Sequence, residues 1–176
     1  MKGFWALAIY DAKRSAVLLA RDPLGKAPLY VARMPSGVAW ASEIKALRVV
    51  ADAAAFAPRE QAIDDFVRHS WRDLDNRTCY DGVHTLAAGS YAWACAGSLD
   101  EPVSYWQLPT HRTTEADLPA DDAVRNFRDT FYRAVDRRLR ADVPVSFELS
   151  GGMDSSSIVA AALEMGHNVT TFTVKF

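Results

Sequence analysis

Two patterns divide this 176-residue sequence. Together they predict an α+β portion built on antiparallel sheets, followed by the start of an α/β portion with a parallel sheet. The first pattern is a series of short apolar runs broken by polar turns, which reads as hairpins. The second is the order amphipathic helix, apolar strand, Gly-Gly turn, helix, strand, and a strand–helix–strand unit lays its two strands parallel. Residues 110–120 are polar, with Thr113, Thr114, Glu115 and Pro119, and read as a linker between portions 1–109 and 121–176.

In the first portion, residues 4–10 (FWALAIY) and 16–20 (AVLLA) flank the polar turn Asp11-Ala12-Lys13-Arg14-Ser15. They predict a hairpin of buried strands, though periodicity alone leaves short helix open. Two prolines and a glycine make residues 21–28 (RDPLGKAP) a loop, in which Arg21 and Asp22 taken by themselves would fix the backbone through side-chain hydrogen bonds. Residues 29–32 and 38–41 form a second hairpin about Pro35-Ser36-Gly37, and Ser42 is placed to cap a short helix over 43–50. Residues 58–69 open with proline and put Ile63, Phe66 and Val67 on one helical face, and 73–77 read as loop. A strand over 91–95 follows. The aromatics Tyr91, Trp93, Tyr105 and Trp106 suit packing better than a stacking platform.

The second portion opens at Asp121-Asp122 with a long helix. Val124, Phe127, Phe131, Val135 and Leu139 recur three or four apart, and Arg137, Arg138 and Arg140 fall in the last turn, where the helix dipole favours cations. Next comes VPVSFELSGGMDSSSIV, residues 143–159. Its two glycines let a ligand approach the backbone, and the free N–H groups of the new helix make an anion site. Asp154 and Ser155 are also good N-caps, so a bare Gly-Gly junction could be purely structural. No G-x-x-x-x-G-K-[ST] pattern is present, which excludes a Walker A loop. Glu148 is out of place in a strand that should be apolar, so it is either at the strand's open C-terminal mouth, near a ligand, or paired with a cation, and the position of ligands beyond strand C-termini favours the first. Residues 169–174 (VTTFTV) give the second strand.

Composition narrows the class. Apolar residues are 49% and charged residues 24%, enough for a packed core, and the net charge of −2 offers no electrostatic case for nucleic acid or an anionic membrane. No apolar run approaches the roughly 20 residues of a membrane span, and the start makes a poor secretory signal. Cys79 and Cys95 lack metal-ligand spacing and read as reduced thiols, which places the chain in the cytoplasm, and the four histidines are dispersed.

SGGMDSS, preceded by RLRADVP, resembles the PP-loop of the ATP pyrophosphatases, and specifically the synthetase domain of the glutamine-hydrolysing asparagine synthetase family. RDPLG followed by ASEIKAL is similar to the later half of that family's N-terminal-nucleophile glutaminase domain. The resemblance spans nearly the whole chain and implies a partial glutaminase domain over 1–109 and a partial PP-loop domain over 121–176.

It implies ATP and Mg²⁺, with pyrophosphate held by Ser150, Gly151, Gly152, Ser155 and Ser156, Asp154 as the metal ligand, and adenine and ribose against Leu149 and Val174. Asp22 would grip the amino group of glutamine. The substrates implied are ATP, glutamine and a carboxylate, by default aspartate, activated as its acyl-adenylate and amidated by ammonia. The parent enzyme is compatible with a homo-oligomer. Lasso-peptide cyclases and β-lactam synthetases, which close internal amides, resemble the same template, and a nucleotide-binding remnant without turnover is a further alternative. The family's catalytic N-terminal cysteine has no counterpart, since the sequence begins Met1-Lys2, so no catalytic residue is assigned.

Overall fold

The computed structural model describes residues 1, 3–51, 53–71 and 74–175, and Asp73, part of the expected 73–77 loop, lies outside them. The chain forms two compact units, Met1–Pro109 and Thr110–Phe176.

Unit one is built from two antiparallel sheets. One has the order β1 (Ala6–Asp11), β2 (Ala16–Arg21), β6 (Ser90–Cys95), β7 (Ser98–Leu99), with β8 (Val103–Ser104) also paired to β6. The other has the order β4 (Gly37–Ala41), β3 (Tyr30–Met34), β5 (Val83–Thr85). Side chains alternate across each strand. Leu19 and Ala92 from the first sheet therefore meet Leu29, Val31 and Leu86 in one buried cluster. Ala32 and Val83 turn the other way, onto Leu47 of α1 (Ile44–Leu47).

Both expected hairpins form, with registers Ala6↔Arg21 through Asp11↔Ala16 and Tyr30↔Ala41 through Met34↔Gly37. The expectation that β1 is buried fails: Ile9 is 53% and Tyr10 65% exposed. Among the described residues β1 is an edge strand, paired with β2 alone, and because Ile9 and Tyr10 are successive they point to opposite faces, so neither face is covered at this end of the strand.

The helices correct the sequence reading at their ends. Glu43 rather than Ser42 is the N-cap of α1, with no side-chain hydrogen bond, and the helix is one turn of four residues, not eight. Residues 60–69 form α2 (Glu60–His69), while Pro58 pairs with Tyr80 as an isolated β-bridge. Its apolar face is left open, with Val67 75% exposed.

Unit two holds α3 (Ala120–Arg138), β9 (Ser146–Glu148), α4 (Met153–Glu164) and β10 (Thr170–Phe172), with β9 and β10 parallel as expected. Val135 of α3 and Ala161 and Ala162 of α4 make its core, with Phe131, Leu139, Phe147 and Val169 packed around them. The stripe read on α3 is buried only at its C-terminal half, since Val124 and Phe127 are exposed. Among the described residues no helix is long and apolar enough to cross a membrane.

Candidate functional site

In unit one the Arg21–Asp22 pair organises the loop that joins β2 to β3. Asp22 is 1% exposed. Its Oδ1 accepts hydrogen bonds from the N–H groups of Leu24 and Lys26, both at 3.1 Å, and its Oδ2 from Ala27 at 2.9 Å and Trp5 at 3.3 Å. Burial by itself would raise this carboxyl. The four backbone donors of Ala27, Lys26, Trp5 and Leu24 outweigh it and hold the group below its ordinary value, because they satisfy the ionised form. Arg21 completes the clasp by donating to the carbonyls of Ala27 and Leu86 at 2.8 Å and to that of Gly25. Gly25 has φ +60°, a conformation that glycine adopts without strain.

A carboxylate offers about four lone-pair positions, and Asp22 has filled them with backbone donors. The geometry of these four bonds is that of a loop clasp. Tyr105, remote from this loop in sequence and announced by no local pattern, donates from its hydroxyl to the Arg21 carbonyl at 2.6 Å. Partial burial, and then the charge of Asp22, push that hydroxyl above its ordinary value. Tyr105→Phe should cost about 1 kcal/mol of unit-one stability in a denaturant titration. An unchanged midpoint would show that this hydrogen bond is replaced by water.

In unit two the candidate residues gather at one strand–turn–helix. The parallel register pairs Phe172 with Glu148, so Leu149 and Val174 lie just beyond the paired strand ends. Leu149 donates its N–H to Phe172 at 2.8 Å and accepts at its carbonyl from the Thr173 hydroxyl, also at 2.8 Å. Gly151 has φ +81°, and a Cβ built there would meet nothing within 4 Å, so the loop is open on that side.

The helix α4 starts directly behind it, with Gly152 as an extended N-cap and no side chain capping the first turn. The alternative of an Asp154 or Ser155 side-chain cap does not form, which leaves first-turn N–H groups directed outward. The Ser155 hydroxyl donates to the Gly152 carbonyl and stands 3.1 Å from the Ser150 hydroxyl, which also receives the Gly152 N–H at 3.4 Å. Ser156 spends its N–H on the Gly152 carbonyl, while its side chain is exposed.

This cradle suits a polyphosphate: uncapped amides, a helix dipole, hydroxyls, and no Cβ over the approach. Asp154, exposed in the first turn, is its carboxylate. Among the described residues no group of three or more metal-ligating side chains exists.

Against known families, residues 1–106 match the glutamine amidotransferase domain and residues 126–176 match asparagine synthase. The chain belongs to the glutamine-hydrolysing asparagine synthetase family. It is 34% identical over 164 residues to asparagine synthetase [glutamine-hydrolyzing] 3 of Bacillus subtilis, covering 92% of this chain and 26% of that protein. It is 29% identical over 181 residues to a putative asparagine synthetase of Mycobacterium tuberculosis, covering 100% of this chain and 27% of the relative. A protein named amidase chyE from Penicillium rubens is 31% identical over 191 residues, covering 100% of this chain and 28% of its own length. The chain thus spans about a quarter of the length of the curated relatives it matches. Membership makes it part of an amidotransferase and ligase family of enzymes.

Proposed function

We propose that this chain carries part of the glutaminase domain (1–109), a linker (110–120) and the start of the PP-loop domain (121–176) of a glutamine-dependent, AMP-forming amide ligase, with aspartate as the carboxylate and the cytoplasm as its compartment. The observation that carries this is the SGGMDSS loop, set beyond the end of a parallel strand and opening an uncapped helix. In unit one, two antiparallel sheets that share a buried cluster support the N-terminal-nucleophile type of fold.

Bound ATP would supply the adenylyl group that activates the carboxylate. The chain's own residues bind and orient it. Gly151, Gly152 and the first-turn amides of α4 hold pyrophosphate oxygens, the Ser150, Ser155 and Ser156 hydroxyls donate to them, and Asp154 holds Mg²⁺ against the leaving charge. Leu149 and Val174 flank the nucleoside at the strand ends. Asp22 shapes its loop and, as the family resemblance implies, meets the amino group of glutamine there.

Calorimetric titration of the chain with Mg·ATP tests this directly. Ser155→Ala should weaken binding about five- to tenfold, the worth of one hydrogen bond to a charged group. Failure of the unaltered chain to bind ATP or pyrophosphate would overturn the proposal. Two fungal relatives carry the name amidase rather than asparagine synthetase, so the second reading is an amide-forming enzyme whose carboxylate is not aspartate. ATP–pyrophosphate exchange by the longer protein with a panel of carboxylates separates the two.

A further inference from the structure

One charged side chain beside the PP-loop has no part in that account. Glu148 is the last residue of β9, is exposed, and makes no hydrogen bond or ion pair among the described residues. Phe147 before it packs into the core formed with Val135, Ala161 and Ala162. Alternation along the strand therefore sets Glu148 on the opposite face, at the C-terminal mouth of the parallel pair. The mouth is where ligands of such sheets collect.

A carboxylate in this position has a restricted set of partners. Phosphate oxygens repel it, and they have their own place on the far side of Gly151, at the start of α4. The groups of a nucleoside triphosphate that attract a carboxylate are those with N–H or O–H to donate: the exocyclic amine of the base and the hydroxyls of the ribose. The backbone next to Glu148 is already engaged. The Leu149 N–H is donated to Phe172, and the Leu149 carbonyl accepts from Thr173. Donor groups of a nucleoside at the strand ends thus find a side-chain acceptor in Glu148.

We propose that Glu148 is a specificity-determining residue that accepts a hydrogen bond from the nucleoside of the bound nucleotide, which rests on the ATP-binding reading above. Binding is measured by calorimetry on the 176-residue chain with three magnesium complexes: ATP, inosine triphosphate, which lacks the amine, and 2′-deoxy-ATP, which lacks one ribose hydroxyl. The unaltered chain should prefer ATP over one of the two analogues by about tenfold, the worth of a charge-assisted hydrogen bond, and the analogue disfavoured names the group that is read. Glu148→Ala should abolish that preference and Glu148→Gln, which keeps a neutral acceptor, should restore part of it. Ser155→Ala should weaken all three ligands alike. Equal affinities for the three in the unaltered chain, or ratios that Glu148→Ala leaves intact, would overturn the assignment while ATP binding stands. Absence of all nucleotide binding would instead remove the reading on which it rests.

Discussion

Asp22→Ala should be the most destabilising single substitution of a polar side chain in unit one, costing about 3–5 kcal/mol, the range for removing one partner from a buried charged network. The reason is the direction of its hydrogen bonds. Four backbone N–H groups, from Trp5, Leu24, Lys26 and Ala27, converge on one carboxylate that is 1% exposed. Removing it strands several donors where water reaches poorly, and Trp5 lies seventeen residues away at the entrance to β1, so the start of the sheet is released as well. Asp22→Asn should recover only part of the loss. An amide keeps one acceptor oxygen and turns an NH₂ toward the donors that the second oxygen served.

The pH dependence has a definite sign. The folded-state value of Asp22 is depressed, so its contribution is fully present above the unfolded value of about 3.9 and is lost as pH falls through the folded value below it. Urea midpoints of the chain and of Asp22→Asn, measured from neutral pH down to the acid limit, should converge at the acid end. Parallel curves would show that the carboxylate does not hold the loop.

This clasp also shows where the sequence stops being informative. Loop character at residues 21–28 follows from Pro23, Gly25 and Pro28, and the local part of the clasp follows from an aspartate at the loop's start. The Trp5 donor and the Tyr105 hydroxyl come from segments remote in sequence, brought together by the β1–β2–β6 pairing, and no local pattern announces them. The same division holds elsewhere. Hairpins made of short apolar runs joined by polar turns were legible, as was the parallel pair around the Gly-Gly turn. The two-residue strands β7 and β8 were not, since two residues carry no period. Exposure of β1 and α2 was illegible for a different reason: an apolar stripe states that a face can be buried, and only the tertiary arrangement states what covers it.

At the candidate site the structure decides between the two readings of the helix start. Asp154 and Ser155 have the chemistry of N-caps, yet the extended backbone of Gly152 takes the cap position and moves both into the first turn. That shift matters functionally. A capping aspartate would turn back and occupy the amides itself, whereas an aspartate inside the first turn leaves them free for an anion and keeps its own oxygens for a cation.

From this follows the second large effect. Asp154→Ala should lower the affinity of the chain for Mg·ATP by about 10- to 100-fold, the worth of a contact to a charged group. The cost to the fold should be far smaller, about 0.3–1 kcal/mol, because Asp154 is exposed and its structural contribution is limited to its favourable place at the positive end of α4. The decisive comparison is made without metal. With a chelator present, the carboxylate faces phosphate oxygens with no cation between them, so it repels the nucleotide. Asp154→Ala should then bind ATP or pyrophosphate as tightly as the unaltered chain or more tightly, reversing the order seen with Mg²⁺. A residue that merely supports the helix would weaken binding in both conditions, so loss of affinity that persists in the chelator would remove Asp154 from the metal site.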